Sequence, residues 1–439
     1  MLKLLPQVFY PINLKMLGLK KIYCNIIKLS EHTCIAILAV NIFLLFMSYS
    51  LFDFTIRLFF FQFIFSLNFK EKIKILKENF FLQIIVMLFL IFCISNTYSM
   101  YYIGFHKSFF VAFAYIITIW NTFYLLYKNP IYIKHLITAF IFSSVILATF
   151  TMIMYFVLGY DGSYTYMTSH IVYTIKYIVA ITCSISSIIL INLFIKSKNK
   201  FFIFLAIYLI AIELCFNQSR TGYVLEFILI SYYAFALIRR HNSFKTVILI
   251  VITFITIFSS IYTLSPPFKN GIDYAISDSI KFFKNTSDQA SGSSGIRLSV
   301  YYVTIKIIEN DPSFLIMGCG LKPVQKCVEE QTSKIKDMDE SKTYMFTTTE
   351  NQYIQGLYQY GLLGMIIVFT LLLSAFMQKK ELPKTMSKSL ALIIIGYSIV
   401  FIFNNWFEVP TLKEIFFFMI TIIISSKYIK KVDKSNNLS

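Results

Sequence analysis

Long apolar runs separated by short polar or basic breaks dominate this chain. A bilayer core of about 30 Å takes roughly 20 apolar residues per helix. On that measure the runs predict twelve spans, at 33–52, 54–69, 80–97, 109–127, 136–158, 171–195, 201–216, 222–238, 246–264, 353–377, 389–406 and 410–427. The expected fold is all-α, a polytopic transmembrane helix bundle. Residues 1–32 then form a basic N-terminal segment and 33–264 carry spans one to nine. One large loop occupies 265–352, spans ten to twelve occupy 353–427, and 428–439 are a tail.

Composition agrees with a bilayer. Hydrophobic residues make up 57% of the 439 and charged residues only 14%, against about 25% charged in soluble domains. The net charge of +18 would raise nucleic-acid binding in a soluble protein, but its placement rejects that partner. Residues 1–32, 70–78, 128–135, 196–200, 239–245, 378–388 and 427–439 together hold 25 of the 40 Lys and Arg, whereas the alternate short loops hold only Lys107 and Arg220. Short basic loops resist translocation, so both termini are expected in the cytoplasm and 265–352 outside. The basic loops would then meet anionic lipid of the inner leaflet. Residues 1–32 lack the compact apolar stretch and small-residue site of a cleaved leader, and the first span is expected to act as its own signal anchor.

The loop 265–352 is where chemistry is expected. Ser265, Pro266 and Pro267 read as a helix stop, and Asp288 to Gly295 as a polar break. From Arg297 to Asn310 the sequence becomes amphipathic, with Arg297, Tyr301, Thr304, Ile305 and Ile308 on one face. Pro312 should end that helix, which is expected to lie on the outer membrane surface, and Gly318 and Gly320 should bracket a turn. Cys319 and Cys327 share this loop, and an oxidising compartment would permit a disulfide between them.

Two further sites carry polar residues to the same boundary. Arg220 lies in the connection Asn217 to Gly222, which is short enough to make spans seven and eight antiparallel neighbours. It reads either as an interfacial snorkelling arginine or as a functional cation. Glu350 lies in Thr347-Thr348-Thr349-Glu350-Asn351-Gln352, where Thr347 with Glu350, or Thr349 with Gln352, fits a helix capping box. Lys176, Glu213 and Glu226 fall inside spans, where charges face a partner or a wet cavity. Asp53 and Arg57 read as a local ion pair. The five histidines show no metal spacing, and no phosphate-binding glycine loop is present, so ATP-driven transport has no support. Tyr301 and Tyr353 are candidates for stacking on sugar rings.

A resemblance emerges from the ordered set. The string Ser219-Arg220-Thr221-Gly222 opens a span, and a helix runs from Gly295-Ile296-Arg297 to Asp311-Pro312. The Gly318-x-Gly320 turn follows, then Glu350-Asn351-Gln352-Tyr353 and Tyr360-Gly361-Leu362-Leu363-Gly364. Together these resemble the O-antigen ligase and polymerase superfamily of polytopic bacterial inner-membrane glycosyltransferases. The likeness covers about 150 residues of the second half.

That resemblance implies a GT-C-like glycosyltransferase. It would move a glycan from undecaprenyl pyrophosphate to an acceptor hydroxyl on the periplasmic side, with inversion, and with neither cofactor nor catalytic metal. Arg220 and Arg297 match the family's pyrophosphate-binding arginines, and planar guanidiniums suit a departing diphosphate. The ligases carry a histidine where this chain has Glu350; a carboxylate ionised near neutrality is a weak but available base. Glu350 is therefore expected to be the base or an acceptor-orienting group, with Asn351, Gln352, Lys176, Tyr301 and Tyr353 as substrate-binding residues. The missing histidine favours a polymerase that extends lipid-linked repeats, partnered by a chain-length regulator. The alternatives are a ligase acting on lipid A–core and, from a different class, a flippase or secondary transporter.

Overall fold

The computed structural model describes residues 29–40, 49–66, 68–97, 105–158, 169–217, 219–241, 243–284, 293–320, 324–335, 349–404 and 410–429. Among them the regular structure is helical throughout, with no strand, and the chain is an all-α, multi-pass membrane protein. Among the described residues six helices are long and apolar enough to cross a bilayer: Ile131–Val157, Lys176–Ser197, Arg220–Arg240, Phe244–Leu264, Leu362–Glu381 and Lys384–Phe403.

The first half comprises α1 (Leu29–Val40), α2 (Tyr49–Phe65), α3 (Phe69–Glu78), α4 (Phe80–Thr97), α5 (Phe105–Lys128), α6 (Ile131–Leu158) and α7 (Ser169–Ser197). The expected boundary between spans one and two, at residue 53, is displaced. Asp53 and Arg57 both lie within α2, and the Asp53 side chain is outside the described residues. The basic stretch 70–78 is itself a helix, α3, which buries Lys72 and Ile75 against its neighbours. Lys72 donates to Phe63 O and to Ser66 Oγ, and its ammonium lies 3.9 Å from the centre of the Phe63 ring.

Helix α7 runs through the middle of the bundle, touching α6, α8 (Lys200–Phe216), α9 (Arg220–His241) and α17 (Lys384–Phe403). Lipid tails offer no hydrophobic drive for helix association, so small residues and interhelical hydrogen bonds carry it. Ser186 Oγ donates to Ser144 Oγ at 2.8 Å, and Asn192 Nδ2 to Ser389 Oγ at 3.0 Å. At the opposite extreme, α10 (Phe244–Leu264) has no buried residue, as suits a helix at the lipid-facing rim.

The segment 265–352 is more ordered than a loop with one amphipathic helix. It holds α11 (Pro266–Lys284), α12 (Ser293–Asn310), α13 (Phe314–Met317) and α14 (Val324–Thr332). Pro266 and Pro267 open α11 rather than merely stopping α10, because a first-turn residue needs no N–H partner. Phe268 then stacks near Tyr223, ring centres 4.7 Å apart, and Tyr262 Oη donates to Asp273 Oδ1 at 2.6 Å, tying α10 to α11. Helix α12 does not simply rest on the membrane surface. Val300, Val303 and Ile307 are buried in a separate core with Val324, Val328 and Leu357, while Ile305 is 54% exposed. Cys319 and Cys327 form a disulfide, Cα–Cα 5.9 Å, that fastens α14 beside the Gly318-Cys319-Gly320 turn.

Span ten, expected as one helix over 353–377, is two. Helix α15 (Gln352–Tyr360) ends at Gly361, whose φ of 63° breaks the helix, and α16 (Leu362–Met377) continues beyond it. Only glycine takes that left-handed conformation without cost. The last helices are α17 and α18 (Pro410–Ser425).

Candidate functional site

Four element ends meet at one place: the first turns of α9, α12 and α15, and the last turn of α17. Arg220 is the first residue of α9. Its entry is fixed by Ser219, whose Oγ accepts from Gly222 N at 3.2 Å, and by Tyr223, whose Oη donates to Asn217 O at 2.6 Å. The guanidinium Nη1 donates to Ser294 Oγ at 2.8 Å and lies 3.7 Å from Asp278 Oδ2.

Arg297, one turn into α12, reaches α17. Its Nε donates to Phe403 O at 2.8 Å and its Nη2 to Asn404 Oδ1 at 3.4 Å, with Glu350 Oε2 at 3.7 Å. Asn404 in turn donates to Thr221 Oγ1. The C-cap of α17 thus bridges Arg297 to the residue next to Arg220.

Glu350 precedes α15 with φ 48° and does not cap it. The cap is Asn351, whose Oδ1 accepts from Ile354 N at 2.9 Å. Thr347 lies outside the described residues, and Thr349 is not the cap: its Oγ1 donates to Asn351 O and Gln355 Oε1. A carboxylate freed from capping and held beside a guanidinium remains available to solvent, and the Glu350 side chain is 27% exposed.

The other candidates divide. Tyr301 belongs to the cluster, donating to Ile402 O at 2.6 Å and accepting from Asn351 Nδ2 at 2.8 Å. Burial pushes its phenol up from the ordinary tyrosine range, against the opposing effects of Asn351 and Arg297. Lys176 of α7 lies within electrostatic reach of Arg220, Arg297 and Glu350. Gln352 is buried. Tyr353 points towards α17, donating to Ser398 O at 3.1 Å and packing on Phe401, an arrangement that suits packing better than stacking on a sugar. Glu213 and Glu226 are fully buried and pair with neither arginine: Glu213 accepts from Asn217 at 2.7 Å and Glu226 from Ser184 at 2.8 Å.

Electrostatically the cluster favours an anion. The N-terminal ends of three helices lie at it, and the two guanidiniums and the Lys176 ammonium outnumber the carboxylates of Asp278 and Glu350. Among the described residues no group of His, Cys, Asp or Glu has the makings of a metal site. Sequence patterns missed Asp278, Ser294 and Asn404, and gave Thr221 only as part of the Ser219-Arg220-Thr221-Gly222 string. Asn404 left one trace, an amide pair Asn404-Asn405 inside an apolar run.

Residues 203–369 match the O-antigen ligase family. The match supports the O-antigen polymerase and ligase superfamily and implies a glycosyltransferase-like or ligase activity. The matched stretch runs from α8 into α16 and contains Arg220, Arg297, Tyr301 and Glu350 to Tyr353, while Lys176 and Asn404 come from outside it. No curated protein matches the chain.

Proposed function

We propose that this protein is an O-antigen-type polysaccharide polymerase that moves a growing glycan from undecaprenyl pyrophosphate onto the next lipid-linked repeat. The observation that carries the reading is the convergence of Arg220, Arg297 and Glu350, distant in sequence, at one end of the bundle and inside the family match. Arg220, Arg297 and Lys176 hold the diphosphate and stabilise the charge that grows on it as the glycosidic C–O bond breaks. Glu350 takes the proton of the acceptor hydroxyl, which attacks the anomeric carbon from the face opposite the departing diphosphate, inverting it. Asn351, Gln352 and Tyr301 shape the acceptor side.

The low count of cations in alternate loops supports a bacterial inner-membrane protein with cytoplasmic termini and this site on the periplasmic side. A chain-length regulator is the expected protein partner. The match to the O-antigen ligase family favours a second reading in which the acceptor is lipid A–core.

Deleting the gene in its own host and separating the lipopolysaccharide by electrophoresis decides between them. Core bearing a single repeat supports polymerase. Bare core with stranded lipid-linked polymer supports ligase and overturns the first reading.

A further inference from the structure

Towards the described residues, Arg220 uses one of its nitrogens. Nη1 donates to Ser294 Oγ and faces Asp278 Oδ2, whereas Nε and Nη2 have no hydrogen-bond partner among the described residues. Nε and Nη2 form the edge of a guanidinium that matches two anionic oxygens at once. These interactions therefore grip the arginine on one side, and its bidentate edge is not used by any of the described residues.

Asp278 does a second thing. The same Oδ2 accepts from the backbone N–H of Ser294 at 3.4 Å, in the first turn of α12, three residues before Arg297. One carboxylate thus touches both Arg220 and the helix that carries Arg297. Its position is built by the fold: α11 is anchored through Phe268 against Tyr223, and Gly271 follows against the same ring, where an added Cβ would sit 3.2 Å from Tyr223 Cε2. Asp278 comes two turns later on that anchored helix, with its side chain 12% exposed.

A counter-charge could act here in two opposite ways. A carboxylate in hydrogen-bonded, two-pronged contact would occupy the arginine and compete with a substrate anion. At 3.7 Å, and on Nη1 alone, the contact is instead long and one-sided, so it orients the side chain without using its fork.

We propose that Asp278 is a positioning residue for anion binding: it presents the free edge of Arg220 and sets the start of α12, so that both arginines face one lipid-linked diphosphate. This assignment rests on the diphosphate reading given above.

The test measures binding of farnesyl pyrophosphate to the full chain in detergent, for the unaltered protein and for Arg220→Ala, Asp278→Asn, Asp278→Glu, Ser294→Ala and the double variant Arg220→Ala/Asp278→Asn. Arg220→Ala is expected to weaken binding by roughly a hundredfold, leaving a measurable remainder, and Asp278→Asn to weaken it by roughly tenfold. Asp278→Glu should recover most of the affinity. Ser294→Ala, which loosens the same grip from the other side, should weaken it in the same direction. The double variant should bind no worse than Arg220→Ala, because Asp278 acts through that arginine; a further loss would mean a general structural role and overturn the assignment. Equal or tighter binding by Asp278→Asn, alongside loss in Arg220→Ala, overturns the Asp278 assignment and leaves the diphosphate reading standing. No binding by the unaltered protein, or full binding by Arg220→Ala, overturns the diphosphate reading and the assignment together.

Discussion

The Arg297 guanidinium and the Glu350 carboxylate stand 3.7 Å apart, joined across 53 residues by the packing of α12 against α15. The carboxylate sits two residues ahead of α15, and Asn351 between them carries the cap. Charge and helix stability are therefore separable at this point. Glu350→Gln is expected to lower glycan transfer by about 10²- to 10⁴-fold with the amount of protein in the membrane unchanged. Polymer ladders from membranes of the variant host read this directly; a normal ladder would remove Glu350 from the chemistry.

Arg220 and Arg297 should differ in what their loss does to the fold. Arg220→Ala and Arg297→Ala are each expected to cut activity on the order of a hundredfold or more, and Arg220→Lys to rescue poorly, because an ammonium lacks the planar fork. Arg297 also holds the Phe403 carbonyl at the end of α17. Thermal unfolding in detergent should therefore fall for Arg297→Ala and change little for Arg220→Ala. Equal stability of the two variants would show that the α17 contact contributes nothing to the fold.

Asn351 both accepts and donates. Asn351→Asp keeps the oxygen that caps α15 but loses the amide that reaches Tyr301 and Ile402. It should retain most of the helix stability while lowering activity, whereas Asn351→Ala should also lose the cap, about 1 kcal/mol. Identical unfolding of the two variants would argue against the cap.

Gly222 gives the Glu213 carboxyl its space. A Cβ there would run into Glu213 Oε1, which has no hydrogen-bond partner among the described residues. Gly222→Ala should cost about 1–3 kcal/mol by overpacking, and Glu213→Ala in the same chain should relieve much of it. The comparison is made by chemical unfolding of the single and double variants, and strict additivity would contradict the contact.

Lys72 predicts a pH dependence. Burial lowers its ammonium from 10.5 to about 8, with Glu31 opposing. Between about pH 8 and 10.5 the unfolded chain binds more protons at this position than the folded one, so stability from this group rises with pH across that window. Lys72→Met should flatten the rise. A melting temperature that falls over the same window in the unaltered protein, with no difference in the variant, would rule it out.

Much of the bundle was legible because periodicity and charge act locally. Arg220 stood out as a lone cation in a short connection, and Arg297 as the first charge of a periodic stretch. Asp278 and Asn404 gave no such signal, since their meaning exists only once α11 and α17 are laid against α9 and α12. Helix α11 was hidden by Pro266 and Pro267, which read equally as the end of one helix and the start of the next. The bend at Gly361 was hidden for a different reason: apolar residues on both sides preserve the hydropathy of a continuous span. The capping box misled because Thr349 and Gln352 have the right spacing, whereas the left-handed Glu350 backbone moves the helix start to Asn351.

The bend at Gly361 is clasped by main chain. Gly361 lies against the Ile316 and Leu315 carbonyls, and Gly318 against the carbonyls of Leu357 and Tyr358. A hinge made from peptide groups owes little to the identity of the surrounding side chains. Exchanges among the neighbouring side chains should thus leave the direction of α15 unchanged so long as Gly318 and Gly361 are kept.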